Sequence, residues 1–456
     1  MKKRIGISGM MVLLLSGLLG CSTTESSTAY VTDPVTTTNP PTGFQVPATT
    51  DIVMYEINPS AYSTTHDLQG IVNRLDAIKA LGVNTIWIMP IHPVGQLNSF
   101  GSVYCVKDYT GVRSSLGTLD NLKTLVTKAH EKGIAVLLDW VANHTSWDNA
   151  WITDHPDWYT HNASGAIISP PGTNWNDVAD LNFDNANLRL AMIEAMKYWV
   201  TEADIDGFRC DAANYVPVTF WQQAITALNA IPNKHLILLA EGDDPGQLTA
   251  GFQMSFSWNY MSALKNVFGT AQANATTLYP SSAGEYAAIP LGKRKLRFTT
   301  NHDESNIASP LTVYGNSNGA LAASVVAIYM DGVPMLYSGQ EVGLTVNYSF
   351  NASSSINWNA NSSILQAYQQ LLGFYNQSIA ARKGTLLDYS TANIIAFEKR
   401  TAVEQVLVLV NPRNSVKTYS VAASLQGEWN NALTDAPVTL GANFDMTAYQ
   451  YLVLKK

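Results

Sequence analysis

Four acidic residues stand directly after short apolar runs: Asp139 after AVLL, Asp211 after GFRC, Glu241 after LILLA and Asp303 after FTTNH. Each has polar company. Asn143 and His144 follow Asp139, Arg209 precedes Asp211 by two residues, and Asn301 and His302 precede Asp303. A single carboxylate at the end of a strand normally caps the next helix. Four on separate segments, with an arginine and two histidines, fit no structural purpose, because buried unpaired carboxylates are costly. Converging carboxylates do suit glycoside hydrolysis, where one carboxylic acid protonates the leaving oxygen and a carboxylate attacks the anomeric carbon. Arg209 and Asp211 share a strand face, so Arg209 is expected to keep Asp211 ionised. Glu241 follows an apolar run with no neighbouring cation, which predicts a raised pKa and a proton to donate. His144 and His302 would donate hydrogen bonds to a sugar.

The elements that must position these groups alternate along the chain. Ile52–Ile57, Thr85–Met89, Ala135–Trp140, Ile205–Cys210, Leu236–Ala240, Phe252–Phe256, Leu296–Thr300 and Val333–Tyr337 read as strands. Between them lie helical periodicities, such as Leu68, Ile71, Val72, Leu75, Ile78 and Leu81 ending at Gly82, and Leu119 to Ala129 ending at Gly133. Eight strands alternating with helices over about three hundred residues predict a TIM (β/α)₈ barrel, an α/β fold whose site forms at the C-terminal ends of the strands. A long loop rich in Trp, His, Asp, Pro and Gly follows the third strand, and loops of that length are usually functional. After about residue 380 the period becomes strand-like, as in Ile394–Glu398, Val406–Val410 and Tyr451–Leu454. The predicted organisation is a catalytic barrel over 50–378, with a loop domain at about 144–186, and a C-terminal β-sandwich domain over 379–456.

At this point the strings resemble the four short motifs of the α-amylase family. DWVANH at Asp139–His144 resembles the first, GFRCDAAN at Gly207–Asn214 the second, Glu241 at the end of LILLAE the third, and FTTNHD at Phe298–Asp303 the fourth. VADLN at Val178–Asn182 and GVPMLYSGQE at Gly332–Glu341 resemble two auxiliary stretches. The resemblance implies Asp211 as nucleophile, Glu241 as acid and then base, and Asp303 as transition-state stabiliser. It further implies Tyr104 stacking under the sugar beside the cleaved bond, with Asp139, His144, Arg209, Asn301 and His302 completing the substrate-binding set. A structural calcium site is implied by Asn143, Asp180 and main-chain carbonyls; alternatively Asn143 simply orients a loop. Such oxygen ligands suit calcium.

Two departures matter. Cys105 stands where α-glucosidases of the family carry an Asp that grips the terminal glucose, and a thiol is a poor partner for hydroxyls. Its presence is read as favouring internal cleavage. Asn214-Tyr215 replaces the Lys-His of many α-amylases, in the region of the leaving-group subsites. Among Trp147, Trp151, Trp158 and Trp175, some are expected to pack the long loop and one or two to wall a sugar site.

The predicted function is a retaining, endo-acting hydrolysis of α-1,4-glucosidic bonds in starch and maltooligosaccharides. The rival readings are an α-glucosidase, debranching or transglycosylating relative, or a non-catalytic glycan-binding lipoprotein. The last would be marked by loss of Asp211 or Glu241, and both are present. A net charge of -8 excludes nucleic acid as the partner, and 11 Trp with 21 Tyr suit a neutral ring-shaped ligand. Lys2, Lys3 and Arg4 precede an apolar stretch ending Leu18-Leu19-Gly20-Cys21, which resembles the lipobox of bacterial lipoproteins. Cleavage before Cys21 and its acylation would hold the chain on a membrane of the bacterial envelope. Residues 1–20 are thus read as signal peptide and 21–49 as a Ser/Thr/Pro-rich tether. Cys210 lies between two inward residues of its strand, so its thiol is expected to point away from Cys105, leaving two free thiols. The chain is read as a monomer.

Overall fold

A computed structural model describes residues 43–344 and 354–456. The signal peptide, Cys21 and the tether up to residue 42 lie outside the described residues. The first ten strands are β1 Met54–Ile57, β2 Thr85–Ile88, β3 Ala135–Val141, β4 His144–Ser146, β5 Val178–Asp180, β6 Gly207–Asp211, β7 Ile237–Ala240, β8 Met254–Ser255, β9 Arg294–Arg297 and β10 Val333–Tyr337. Eight of them close into a barrel in the order β1-β10-β9-β8-β7-β6-β3-β2, and every neighbouring pair is parallel. β4 and β5 form a separate antiparallel ribbon within the long loop. The barrel is the one predicted.

The strands are apolar on both faces because both faces are covered. All seven residues of β3 are buried. Ala135 and Leu137 point into the barrel with Trp87, Leu239 and Met254, whereas Val136, Leu138 and Trp140 face the surrounding helices. The same alternation carries Asp139 inward, and on β6 it separates inward Arg209 and Asp211 from outward Phe208 and Cys210. Gly207 opens β6 at φ +147°, and a Cβ there would lie 1.9 Å from the carbonyl oxygen of Ile237, so this position takes glycine alone. The helix Leu119–Glu131 begins with a capping box between Thr118 and Asn121 and buries Leu122, Leu125, Val126 and Ala129, the periodic residues of the sequence. β9 begins earlier than the apolar run predicts, because its sequence RKLR buries charged side chains on the outer face of the barrel, beneath the surrounding helices. Lys295 Nζ donates to Ser255 Oγ at 2.9 Å, and Arg297 pairs with Glu285 at 2.7 Å.

Beyond the barrel come β11 Thr385–Asp388, β12 Ile395–Arg400, β13 Gln405–Val410, β14 Lys417–Ser420, β15 Gly427–Asn431, β16 Pro437–Leu440, β17 Asn443–Met446 and β18 Tyr451–Lys455. Six make one sheet in the order β11-β12-β13-β18-β15-β16, and β14 pairs with β17 apart from it. One face of the sheet, with Leu407, Leu409 and Leu454, packs on Tyr419 and Met446 of the two-stranded ribbon. The other face, with Phe397, Val406, Val408 and Val453, joins the core that surrounds the barrel.

One boundary differs from the sequence reading. Residues 44–49 were expected in the tether, yet Phe44 stacks on His130 with ring centroids 3.9 Å apart, and Val46 packs on the barrel's interior cluster. Two apolar side chains in a Ser/Thr/Pro context are enough to dock this stretch. Among the described residues, no helix is long and apolar enough to cross a membrane.

Candidate active site

The four acidic residues converge at the C-terminal ends of the strands. Asp211 closes β6, Glu241 follows β7, Asp139 lies on β3, and Asp303 sits in the short helix His302–Ile307 after β9. Arg209 joins the first three. Its Nη1 lies 2.8 Å from Asp139 Oδ1 and 2.9 Å from Asp211 Oδ1, and its Nη2 lies 2.7 Å from Glu241 Oε1. The last contact is out of line with the N–H, so it acts as an ion pair rather than a directed hydrogen bond. Ala212 adopts a left-handed backbone (φ 42°), and its N–H donates to Glu241 Oε2 at 2.8 Å. This is a strained conformation for a residue with a Cβ, and it aims an amide at the acid.

The cavity above these groups is lined by Ser102, Tyr104, His144, Trp175, Asp177, Val178, Asp211, Ala212, Glu241, His302 and Asp303. Six of the expected site residues, Tyr104, His144, Asp211, Glu241, His302 and Asp303, are therefore brought together on its wall. Three expected substrate ligands are not. Asp139 and Arg209 are wholly buried beneath the floor, where Asp139 also accepts from Trp87 Nε1 and Tyr104 Oη, both at 3.1 Å. They hold the groups above them and do not line the cavity. Asn301 is buried as well, and its side chain caps the helix His302–Ile307 by accepting from Glu304 N–H at 2.8 Å.

The expected ionisation pattern is reversed in the free site. Asp211 is raised well above the ordinary carboxylate range, first by burial, and then by Glu241, Asp139 and Asp303, against the pull of Arg209. Glu241 is lowered: burial opposes ionisation, but the Arg209 charge and the Ala212 amide outweigh it. Adjacency in sequence linked Arg209 with Asp211 alone, whereas the fold swings the guanidinium across to Glu241. Arg209 faces three carboxylates at once, so its charge is shared among them, and the ionisations of Asp211 and Glu241 depend on one another.

Histidine 302 depends on a residue that sequence reasoning missed. Glu56, buried on β1, accepts from the His302 N–H at 3.3 Å, and its Oε1 lies 2.5 Å from His302 Nδ1. The other ring nitrogen lies 2.8 Å from Tyr104 Oη and 3.4 Å from Asp303 Oδ2. Burial works against the imidazolium, but Asp303 and Glu56 prevail and push its pKa up to about 9. His144 is buried, and that burial lowers it to about 4, so it stays neutral. Glu56 was legible in principle, as a charged residue two places after inward Met54 in an otherwise apolar strand.

Cys105 does not face the cavity. It is buried, its thiol donates to the Asp177 carbonyl at 3.2 Å, and burial pushes its pKa up to about 11. The Cys105 side chain points away from the cavity and is not placed to take the part of a clamp on a terminal glucose. Both Cys105 and Cys210 are free, as expected. Of the four loop tryptophans, Trp175 lines the cavity, 5.6 Å from the His144 ring and 5.3 Å from that of Tyr215, which is 54% exposed at the rim. Trp158 is buried against Trp151 and His155. Asn214 takes part in a polar chain, donating to Asp243 and accepting from Gln247.

Asn143 and Asp180 lie together at the β4·β5 ribbon, where the Leu181 N–H donates to the Asn143 carbonyl at 3.2 Å. The Asp180 carboxyl is half-buried and raised by that burial, Thr160 is its side-chain partner, and no cation pairs with it among the described residues. A carboxylate, a side-chain amide and main-chain carbonyls are hard oxygen donors of the kind that suits calcium. Among the described residues no cluster of three His, Cys, Asp or Glu forms a metal centre of another kind.

A family model for the alpha amylase catalytic domain matches residues 52–168 and 172–239. The chain is 26% identical over 338 residues to Alpha-amylase 3 of Dictyoglomus thermophilum, covering 66% of each chain. It is 25% identical over 397 residues to a cyclomaltodextrinase of Geobacillus thermopakistaniensis, covering 80% of this chain and 65% of that one. The chain thus spans less than two thirds of the length of these curated relatives. The crystal structure of an alpha-amylase from Lactobacillus plantarum superposes with a TM-score of 0.80 at 26% identity, over 89% of this chain and 99% of that one. A maltogenic alpha-amylase from Thermotoga neapolitana gives 0.79 at 25% identity over the same shares. Motif order, strand topology and these likenesses coincide: residues 52–168 and 172–239 match the alpha-amylase catalytic domain, and the barrel is similar to those of these alpha-amylases.

Proposed function

We propose that this protein hydrolyses α-1,4-glucosidic bonds within starch and maltooligosaccharide chains, with retention of configuration. The observation that carries the reading is the one guanidinium, Arg209, touching both Asp211 and Glu241 at the floor of a cavity that Asp303 also lines. Two carboxylates held on neighbouring nitrogens favour a nucleophile and an acid at short separation, the retaining arrangement, over the wider spacing that admits a water. Asp211 attacks the anomeric carbon, and Glu241 protonates the departing oxygen and later activates water. Asp303 and the cationic His302 hold sugar hydroxyls as positive charge develops on the ring.

A proton must stand on Glu241 when the bond breaks. A sugar over Asp211 favours the carboxylate there, since the oxocarbenium-like transition state is positive, and this drives the proton across to Glu241. The names of the relatives, alpha-amylase and cyclomaltodextrinase among them, support an α-glucan substrate. Internal attack is supported by a rim assembled from separate loops, with the exposed Tyr215 beside Trp175 extending the aromatic surface outside the cavity. Structural calcium would be held by Asn143, Asp180 and main-chain carbonyls, where it would brace the long loop. A lipid on Cys21 would hold a monomer at the bacterial envelope.

Proton NMR of fresh products from soluble starch, with viscosity followed in parallel, tests the reading. We expect the α-anomer first, a spread of oligosaccharides and an early fall in viscosity. An initial β-anomer refutes the double displacement, and glucose as the sole early product refutes internal attack. Partition of the wild type, but not of Cys21→Ala, with membranes tests the anchor; wild-type protein recovered in the soluble fraction refutes it.

A further inference from the structure

The cavity contains one more carboxylate than the proposed mechanism uses. Asp177 lies in the long loop just before β5 and is only 9% exposed, yet it lines the cavity. Among the described residues no hydrogen bond and no ion pair reaches its carboxylate. Its main chain is fixed from behind, where the Cys105 thiol donates to the Asp177 carbonyl at 3.2 Å. That contact ties the long loop to the segment after β2 that bears Ser102 and Tyr104, both on the same cavity wall.

The residue is packed in on every other side, and its carboxylate, without a protein partner, opens on the cavity, where it accepts from whatever fills that space. The geometry points to Asp177 as a substrate-specificity residue that accepts hydrogen bonds from a hydroxyl of a glucose unit lying against Tyr104. This rests on the function proposed above. If the chain is attacked internally, the C4 oxygen of each glucose is tied up in a glycosidic bond and has no proton to give. The hydroxyl that Asp177 reads is therefore one that an internal unit still carries, at C2, C3 or C6. Asp177 grips the chain without requiring that it end.

The test uses p-nitrophenyl α-maltoside and its analogues lacking one hydroxyl at a time on either glucose, with wild type, Asp177→Ala and Asp177→Asn. A hydrogen bond to a charged acceptor contributes about 10- to 100-fold in kcat/KM. The expected result is one deoxy substrate, at C2, C3 or C6, that costs the wild type about that factor and costs Asp177→Ala about 2-fold or less. Asp177→Asn retains shape and an acceptor oxygen, so it should fall between the two. Equal losses in wild type and variants for every analogue overturn the assignment, and so does a difference confined to C4. If the wild type turns over neither the parent maltoside nor any α-1,4-glucan, the function proposed above fails and takes this assignment with it. Turnover of the parent with no effect of either substitution removes Asp177 alone.

Discussion

Replacing Glu56 by Gln removes a charge while leaving an oxygen that still accepts from His302. The imidazolium is raised from 6.5 to about 9 by Asp303 and Glu56 together. At 1.36 kcal/mol per pH unit that difference amounts to about 3 kcal/mol. Glu56 Oε1 stands 2.5 Å from the ring and is wholly buried, whereas the Asp303 carboxylate is 3.4 Å away and 47% exposed. Solvent screens the second far more than the first, so Glu56 supplies at least half of the effect, about one to two pH units. The other groups facing the ring are Tyr104, Asp139 and Arg209, together with the Trp87 edge, and the substitution leaves them in place. His302 in Glu56→Gln should then titrate about one to two units lower, close to neutrality. The linkage has a definite sign. A folded pKa above the unfolded one stabilises fully below about 6.5, and this stability is lost as the pH rises through about 9. The variant should lose it at a lower pH, and its kcat/KM should fall more at about pH 8 than at about pH 6. NMR titration of the imidazole, assigned by its disappearance in His302→Asn, measures the midpoint directly. A midpoint that moves by less than about 0.3 unit would refute the reasoning and leave Asp303 as the sustaining charge.

Other outcomes follow from the same geometry. Glu241→Gln and Asp211→Asn should each retain below about 1% of wild-type turnover on starch with unchanged circular dichroism; activity above a few per cent in either rejects its assigned role. Chelation with EGTA should lower Tm by about 5–10 °C, recovered by added calcium, if Asn143 and Asp180 hold the ion; an unchanged Tm argues against the site. Cys105→Asp should place an unpaired charge in a buried position behind Asp177. The expected result is a drop in Tm of at least several degrees rather than a new preference for short substrates, and a stable variant with altered specificity would contradict the placement of this side chain.

The barrel was legible because its signals are local. Each strand is an apolar run, each helix a period with a cap, and the acidic residues follow the runs directly. β9 slipped because Lys295 and Arg297 are buried charges that find partners only in the folded chain, on Ser255 and Glu285. The site shows the same division. Which residues belong to it could be read from their place after the strands, but the protonation pattern could not. That pattern depends on which way one guanidinium leans and on the amide that a left-handed Ala212 turns toward Glu241, neither of which leaves a mark in the pattern of residues. The inward direction of Asp177 leaves no such mark either, since the long loop has no period from which to infer it.

The second face of the C-terminal sheet has a consequence for how the molecule comes apart. Phe397, Val406, Val408 and Val453 belong to the same apolar cluster as the helices around the barrel, so no layer of water marks a seam where the strand pattern begins. Heat or denaturant should meet a single cooperative unit and produce one transition, with the two architectures melting together. Cutting the gene near residue 378 would not yield a smaller enzyme. It would bare the aliphatic flank on which this sheet rests, and the shortened chain would be expected to aggregate during expression instead of closing its barrel.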